Sequence, residues 1–244
     1  MKNSTVLITG GSNGIGLALA KRFLANDNEV IICGRSEDKL AKAKENFPKL
    51  HTKCCDVADE AQRLEFYQWA IKEFPNLNIL INNAGIQRRI TLSEKNLDWS
   101  EIKQEIAINL EAPIHFSTLF IEHLLGQKNP QIINITSGLA FMPPIWVPVY
   151  GATKAGMHSF AFSLREQLQE CGIKVIEVIP PAVNTDLGGV GMHTFGAPLD
   201  DFADTVFKGL EDGNLEVGFN NLAQTKLGRD EIEKNAREVW KIRK

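Results

Sequence analysis

Short runs of apolar and β-branched residues alternate with longer amphipathic segments along the first 180 residues of the chain. Some of these runs are apolar throughout, such as residues 30–32 and 79–81. A strand that helices cover on both faces has this pattern, whereas a strand with one face in water alternates apolar and polar residues. The sequence therefore predicts an α/β fold, a doubly wound parallel sheet with helices on both faces.

The pattern predicts six strands and five helices. The predicted strands cover residues 5–9, 29–33, 50–54, 78–82, 131–136 and 174–179, and the predicted helices cover 14–25, 37–46, 58–73, 98–125 and 150–170. No break in composition and no internal repeat divides the chain, so we expect residues 1–244 to form a single domain.

Residues 180–199 interrupt the alternation because they are rich in glycine and proline. A loop of this length in a compact domain is usually a lid or a binding loop. Since it follows a strand, we expect it beside the carboxyl ends of the strands, where open α/β sheets bind ligands. We therefore predict a substrate loop around residues 180–200. The charged segment 226–244 is predicted to be a surface helix.

The charge balance argues against a polyanionic partner. The chain has 27 basic and 30 acidic residues and a net charge of −3, so it has no net positive field that would attract nucleic acid or an anionic membrane. No stretch approaches the ~20 apolar residues that span a bilayer, and the apolar run at 6–8 is too short for a signal peptide. We expect no nucleic-acid partner and no membrane association.

The cysteines and histidines have no metal-binding spacing. Cys33, Cys54, Cys55 and Cys171 form no CxxC pair, and the five histidines form no HExxH motif, so no metal site is predicted. Reduced thiols are typical of a cytoplasmic protein, and we expect that location.

A glycine-rich turn, Thr9 to Gly16, joins the first predicted strand to the first predicted helix. Glycine allows backbone conformations and close approaches that a Cβ atom would block. The helix that follows offers unpaired N–H groups and a positive dipole end to a pyrophosphate. The turn therefore predicts a nucleotide site in a Rossmann-like domain, formed by Gly10, Ser12, Asn13, Gly14, Ile15 and Gly16.

Two other kinds of site share this glycine pattern. A P-loop needs Gly-Lys-Ser/Thr at the start of the helix, but Gly16 is followed by Leu17. Residues 10–14 also fit the GxSxG nucleophile elbow of α/β-hydrolases, with Ser12 as nucleophile. Those enzymes take half of their oxyanion hole from a loop on an earlier strand, and here the motif follows the first strand. The esterase alternative is therefore disfavoured.

The end of the second predicted strand distinguishes the two nicotinamide dinucleotides. An NAD site usually has an acidic residue there, which binds the ribose 2′-hydroxyl. Here that position is Gly34, and Arg35 and Ser36 follow it. Arg35 can pair with a 2′-phosphate through a forked, charge-assisted contact, and Ser36 can add a hydroxyl, although a solvated arginine would also fit. We favour NADP(H) as the cofactor, with NAD(H) as the alternative.

Tyr150 and Lys154 are four residues apart in a predicted helix, so their side chains share one face. A free phenol has a pKa of about 10, and a nearby ammonium group in a partly shielded site lowers it. Such a phenol can give or take a hydroxyl proton while a hydride moves to or from a nicotinamide. The spacing alone is common and also fits a surface pair.

Several motifs resemble those of the single-domain short-chain dehydrogenase/reductases, and the resemblance runs to about residue 190. The glycine turn matches the TGxxxGIG motif of that family. The NNAG motif at residues 82–85 implies that Asn83, Ala84 and Gly85 support the edge of the cofactor site. Asp56 and Val57, at the end of the third predicted strand, stand where the family contacts adenine.

The resemblance implies catalytic roles for four residues. Ser137, which precedes Tyr150 by 13 residues, would bind the substrate oxygen and polarise a carbonyl. Tyr150 would be the general acid in reduction and the general base in oxidation. Lys154 would lower the pKa of the tyrosine and bind the nicotinamide ribose, while Asn109 would hold a water in the proton relay. The implied activity is hydride transfer between NADP(H) and a carbonyl or secondary alcohol.

The segment after the sixth strand departs from the family pattern. The family usually has Pro-Gly where this chain has Pro180 and Pro181. The resemblance implies that Pro180, Val183 and Thr185 contact the cofactor, with Thr185 near the nicotinamide amide. Pro181 lacks an N–H and the conformational freedom of glycine, so we expect the start of the loop to run differently.

Two segments are candidates for the substrate side. Residues 138–149, between the implied catalytic serine and tyrosine, are apolar for a loop, which makes Met142, Ile145 and Trp146 candidate wall residues. The Gln-Arg-Arg sequence at 87–89 could meet a polar or anionic substrate group or lie in a solvated loop.

The tracts at 33–36 and 136–141 resemble bacterial DltE-like oxidoreductases, which does not identify a substrate. The family resemblance also implies a homodimer or homotetramer, formed through the long predicted helices. The alternative to an enzyme is a dinucleotide-sensing binding protein without turnover, which the intact Ser-Tyr-Lys set disfavours.

Overall fold

The computed structural model describes residues 1–95, 97–142, 144–219 and Glu238. In this part of the chain, seven parallel strands form one sheet: β1 (Thr5–Thr9), β2 (Glu29–Gly34), β3 (His51–Cys54), β4 (Leu77–Asn82), β5 (Gln131–Ile135), β6 (Lys174–Ile179) and β7 (Glu216–Gly218). The order across the sheet is β3-β2-β1-β4-β5-β6-β7, so the winding reverses between β1 and β4. Open α/β sheets bind ligands at such a switch point, beyond the carboxyl ends of the strands.

Helices cover both faces of the sheet: α1 (Gly14–Ala25), α2 (Glu37–Asn46), α3 (Glu60–Glu73), α4 (Trp99–Ile106), α5 (Ala112–Leu125), α6 (Pro148–Leu168) and α7 (Leu199–Glu211). Val6 and Ile8 of β1 belong to a core shared with α1, α2 and α7, whereas Leu7 belongs to a core shared with α3, α5 and α6. Successive residues of a strand point to opposite faces, and here each face has its own core. This confirms the predicted doubly wound fold and explains the continuous apolar runs.

Side-chain caps set several helix boundaries. Ser36, Asp59 and Asp98 each accept a backbone N–H from the first turn of α2, α3 and α4, respectively. Because Asp59 occupies the cap position, α3 begins at Glu60 and not at residue 58, as the amphipathic pattern predicted. The bounds of β1, β6, α1 and α2 are as predicted.

The predicted helix at 98–125 is divided into α4, a π-helical turn (Ala107–Glu111) and α5. The backbone N–H of Ala112 donates to the carbonyl of Ala107, five residues earlier. Pro113 has no N–H and cannot donate to the carbonyl of Asn109, as a regular α-helix would require. The apolar pattern continues through this turn and so did not indicate it.

The sequence analysis missed two elements that follow the predicted loop. The loop ends at Pro198, α7 follows, and β7 pairs with β6 at the edge of the sheet. The helix predicted at 226–244 lies outside the described residues, apart from Glu238. In the described part of the chain, we find no helix with the length and apolar character needed to cross a membrane.

Candidate active site

The glycine turn packs directly against the segment that follows β4. Gly10 has a φ of +64°, and a Cβ atom on it would lie 2.8 Å from the Cα of Ala84. The amide nitrogen of the Asn83 side chain donates to the carbonyls of Thr9 (2.8 Å) and Gly10 (3.1 Å). In return, the hydroxyl oxygen of Thr9 accepts the backbone N–H groups of Asn83 and Ala84. These bonds hold the two motifs together at the switch point of the sheet.

The N-terminus of α1 is open to an anion. Asn13 occupies the cap position, but its side chain makes no capping hydrogen bond, and the first turn contains no acidic residue. The next three helices have side-chain caps, so α1 differs from them in leaving its first N–H groups without a side-chain acceptor. Because Gly14 and Ile15 line the cleft, this helix end fits a pyrophosphate.

A cleft of about 1540 Å³ runs along the carboxyl ends of the strands. All of the predicted cofactor residues except Gly16 line it: Gly10, Ser12, Asn13, Gly14, Ile15, Arg35, Ser36, Asp56, Val57, Asn83, Ala84, Gly85, Tyr150, Lys154, Pro180, Val183 and Thr185. Gly16 lies behind this surface, where a Cβ atom would be 2.5 Å from the amide nitrogen of Asn83. Its role in the structure is close packing of the turn.

One end of the cleft is cationic. Arg35 and Lys39 line it with exposed side chains just after β2. Ser36 accepts the backbone N–H of Lys39, which places these three residues at the start of α2. A Cβ atom on Gly34 would lie 3.2 Å from the hydroxyl of Ser12, so a carboxylate at that position would also crowd the glycine turn. The positive charge and the small residue together suit a phosphate group here.

Ser137, Tyr150 and Lys154 meet at the middle of the cleft. Ser137 follows β5, and Tyr150 and Lys154 lie in the first two turns of α6. All three are buried, and the hydroxyl of Ser137 lies close enough to the phenol of Tyr150 to lower its pKa. The ammonium group of Lys154 donates to the carbonyl of Ile135 at 2.8 Å and lies 5.7 Å from the centre of the Tyr150 ring.

Burial controls the protonation of both side chains in α6. It raises the pKa of Tyr150 to about 12, because the effect of burial exceeds the opposite effect of the Ser137 hydroxyl, and the charge of Glu105 adds to the rise. Burial also lowers the pKa of Lys154 to about 8. The sequence led us to expect a lysine that lowers the pKa of the tyrosine. In this structure the ammonium group lies over the ring and bonds to a carbonyl, and burial dominates.

Asn109 lies behind the cleft, in the π-helical turn. Its side chain is buried, accepts the backbone N–H of Ile86 at 2.9 Å and donates to the carbonyl of the same residue at 2.8 Å. A second donated bond, 3.3 Å long, reaches the hydroxyl of Thr153 in α6. A Cβ atom on Gly85 would lie 3.5 Å from the side-chain oxygen of Asn109 and 3.8 Å from the ammonium nitrogen of Lys154. Asn109 thus connects the segment after β4 to the helix that carries Tyr150.

The predicted substrate segments also contribute to the wall of the cleft. Met142 and Trp146 line it, as do all three residues of the 87–89 segment, whereas Ile145 does not. The loop 180–198 reaches the glycine turn. A Cβ atom on Gly14 would lie 3.7 Å from the methyl carbon of Thr185. Pro181 lines the cleft and is exposed.

Comparison with known proteins identifies the family. The sequence profile of the short chain dehydrogenase family matches residues 4–191. The chain belongs to the short-chain dehydrogenase family. A relative from Bacillus subtilis, the uncharacterized oxidoreductase DltE, is 49% identical to it over 222 residues, which are 89% of this chain and 88% of the relative.

Some more distant relatives of this short-chain dehydrogenase have a named activity or a bound ligand. The NADP-dependent 3-hydroxy acid dehydrogenase YdfG of Escherichia coli K12 is 28% identical over 88% of this chain and 81% of its own. A short-chain dehydrogenase from Sphingobium yanoikuyae in complex with NADPH superposes with a TM-score of 0.80, at 24% identity, over 97% of this chain and 94% of its own. A short-chain dehydrogenase/reductase from Burkholderia phymatum in complex with NAD superposes with a TM-score of 0.84, at 20% identity, over 96% of this chain and 95% of its own. The two solved structures confirm the fold.

The sequence analysis of this short-chain dehydrogenase missed several cleft residues. Lys39 is four residues after Arg35 in the sequence, and that spacing at the start of a helix was a usable signal. Leu187, Met192 and Phe195 line the cleft from within the loop 180–198, and an irregular loop has no period that predicts which side chains point inward.

No group of three or more histidine, cysteine or acidic side chains in the described part of the chain is arranged to hold a metal ion. All four cysteines are free thiols.

Proposed function

We propose that this protein is an NADP(H)-dependent oxidoreductase that transfers a hydride between the nicotinamide and a carbonyl or secondary alcohol. The observation that carries the proposal is the cluster of Ser137, Tyr150 and Lys154, all buried in the cleft that the glycine turn also lines. When bound, the cofactor supplies the hydride or accepts it. The chain therefore has to orient the substrate oxygen and move one proton.

Ser137 and Tyr150 are proposed to divide this work. The hydroxyl of Ser137 donates to the substrate oxygen and polarises the carbonyl, and the phenol of Tyr150 gives that oxygen a proton in reduction. Because burial holds the pKa of Tyr150 at about 12, the phenol is protonated at neutral pH and ready to act as an acid. In oxidation it must lose that proton, and the charge of Lys154 in the same buried site favours the phenolate.

The glycine turn and the start of α1 are proposed to hold the pyrophosphate of the dinucleotide. The positive φ of Gly10, the close packing on Ala84 and the uncapped start of α1 fit this group. Arg35 and Lys39 are proposed to bind a 2′-phosphate, and this pair is the basis for preferring NADP(H). The NADP dependence of YdfG agrees with that preference. Asp56 and Val57 would contact the adenine, and Thr185 the nicotinamide end.

Asn109 is proposed to hold a water through its backbone carbonyl. The side chain is engaged with Ile86 and Thr153, so it is the backbone oxygen that offers an acceptor. Pro113 cannot supply the N–H that an α-helix would direct at this oxygen. A water at this carbonyl would extend the proton path from Lys154 toward the interior end of the cleft.

Replacing Tyr150 by phenylalanine tests the proposal. We expect Tyr150→Phe to lower kcat for carbonyl reduction by about 10³-fold, because the proton donor is lost, while NADPH binding changes by less than about twofold. The assay is NADPH oxidation over a panel of ketones and aldehydes. The other tyrosine provides the control, since Tyr67 lies in α3 against Phe120 and does not line the cleft. Turnover that survives Tyr150→Phe would contradict the acid/base role.

Three broader expectations remain proposals. The first is that residues 1–244 form one dinucleotide-binding domain, which the single sheet from β1 to β7 supports. The second is a homodimer or homotetramer, which sedimentation velocity would test. The third is a cytoplasmic location, where four free thiols would stay reduced.

A further inference from the structure

The cleft has a second cationic region, which the proposed cofactor contacts do not use. Arg88 and Arg89 line the cleft after β4, whereas Arg35 and Lys39 line it after β2. Strand β1 lies between β2 and β4, so the ends of those two strands are about 10 Å apart. The guanidinium of Arg88 bonds to α4, whereas Arg35 and Lys39 lie at the start of α2, so the two pairs of cations belong to different parts of the cleft.

The segment 87–89 lies between the two walls of the substrate side. Next to it, the backbone N–H of Ile90 donates to the carbonyl of Trp146 at 3.3 Å. On the other side, a Cβ atom on Gly188 would lie 3.3 Å from the carbonyl oxygen of Gln87. The two arginines are thus placed where the apolar segment before α6 and the loop 180–198 come together.

Arg88 is held in place by uncharged acceptors. Its guanidinium donates to the carbonyl of Glu101 at 3.2 Å and to the side-chain oxygen of Gln104 at 2.5 Å. Its backbone N–H donates to a carboxylate oxygen of Glu105, which is fully buried. Burial raises the pKa of the Glu105 carboxyl, while the backbone N–H and the charge of Arg88 act in the opposite direction.

The charge of the two arginines is not compensated by an ion pair. In the part of the chain that the structure describes, no guanidinium nitrogen of Arg88 or Arg89 lies within 4.0 Å of a carboxylate oxygen. Asp186, on the loop that reaches this segment, lines the same cleft but pairs with neither of them. Guanidinium groups in a cleft bind carboxylates and phosphates in a forked geometry, and partial exclusion of water strengthens that contact.

We propose that the substrate is a carbonyl or alcohol compound with an apolar body and an anionic oxyacid group, a carboxylate or a phosphate, which Arg89 and Arg88 bind. This rests on the proposed function, because the reacting carbon must lie at Ser137 and Tyr150. The apolar body would pack on the side chains that line the cleft between these two places: Leu139, Met142, Trp146 and Leu187.

Matched ketones test the inference. The probes are a medium-chain oxo acid, its methyl ester and the same ketone with a phosphate monoester in place of the carboxylate, each reduced with NADPH. We expect kcat/KM for at least one of the anionic ketones to exceed that for the ester by about tenfold or more, as for a hydrogen bond to a charged group. The ratio between the two anionic ketones identifies which oxyacid is preferred.

Two charge-removing variants show where this selectivity arises. Arg89 is exposed, so Arg89→Ala should fold normally, and we expect it to reduce the preference for the anionic ketone to within about twofold of the ester. Lys103→Ala removes one exposed positive charge from α4 without touching the cleft, and it should keep the preference.

The outcomes separate this inference from the proposed function. If the wild-type protein reduces all three ketones equally well, or if Arg89→Ala lowers kcat/KM for the ester as much as for the acid, the anionic substrate is wrong and the oxidoreductase stands. If none of a broad panel of carbonyl compounds is reduced, and Tyr150→Phe behaves as the wild type, both proposals fail.

Discussion

Tyr150 and Lys154 are buried in one cleft, and burial shifts their pKa values in opposite directions. Loss of water penalises the charged form of each side chain, which is the phenolate of Tyr150 and the ammonium group of Lys154. The tyrosine therefore keeps its proton up to a pKa of about 12, and the lysine releases its proton at a pKa of about 8. Burial therefore destabilises the charged form of Lys154, and the hydrogen bond to the carbonyl of Ile135 stabilises it at neutral pH.

This predicts how stability depends on pH. The unfolded chain binds a proton at Lys154 with the usual pKa of 10.5, and the folded chain with a pKa of about 8. Between these values the unfolded state binds more protons, so the contribution of Lys154 to the free energy of unfolding rises with pH. We expect the stability of the wild type, relative to Lys154→Met, to increase from about pH 7 to about pH 9.5 in urea denaturation.

The control for this measurement is Lys72→Met, which replaces an exposed lysine of α3. Its stability difference from the wild type should show no comparable rise over the same range. A constant difference between the wild type and Lys154→Met would mean that Lys154 does not lose its charge in the folded protein. Ionisation of Tyr150 does not interfere, because the unfolded chain ionises only near pH 10.

At the scale of single elements, the starts of α1 and α2 differ in whether a side chain caps the first backbone N–H groups. Ser36 caps α2 with its own side chain, whereas Asn13 leaves α1 uncapped at the same edge of the sheet. The cap at Ser36 fixes the start of α2, and with it the positions of Arg35 and Lys39. The uncapped start of α1 leaves backbone N–H donors facing the cleft.

The junction of β2 and α2 is therefore expected to set the cofactor preference. NADPH should raise the melting temperature of the wild type more than NADH does at equal concentration, and Arg35→Ala should raise the Kd for NADPH by about tenfold or more with little effect on NADH. Lys42→Ala is the matched control, since this exposed lysine of α2 does not line the cleft. Equal stabilisation of the wild type by both dinucleotides would remove the basis for assigning Arg35 to a 2′-phosphate.

At the scale of the whole molecule, α7 completes one of the two cores. The rings of Phe23 in α1 and Phe207 in α7 meet edge to face, with centres 5.2 Å apart. Outside this contact, Arg22 of α1 forms ion pairs with Asp200 and Asp204 of α7. Residues that come after the predicted loop thus cover the same face of the sheet as the first helix.

We expect this packing to contribute strongly to folding. Leu210→Ala in α7 should lower the free energy of unfolding by about 2–5 kcal/mol, because Leu210 is 4% exposed and its loss leaves a cavity. Leu215, which is 43% exposed, is the matched control, and Leu215→Ala should cost less than about 1 kcal/mol. Urea denaturation of the two variants measures both. Equal losses would show that α7 does not belong to the cooperative core.

The sequence by itself determined the features that depend on local chemistry. The bounds of β1, β6, α1 and α2 follow from apolar runs, a glycine turn and a capping serine, all of which act within a few residues. The motif spacings also placed most of the residues proposed to hold the cofactor in one cleft, because the carboxyl ends of parallel strands must share an edge.

Only the tertiary structure decided the features that depend on contacts between residues far apart in the sequence. Burial by several elements raises the pKa of Tyr150 above its usual value, and no local pattern measures burial. The π-helical turn at Asn109 and the inward side chains of the loop 180–198 also depend on contacts that form after folding. The same is true of Arg88 and Arg89, whose cleft-lining position follows from the walls packed on either side of them.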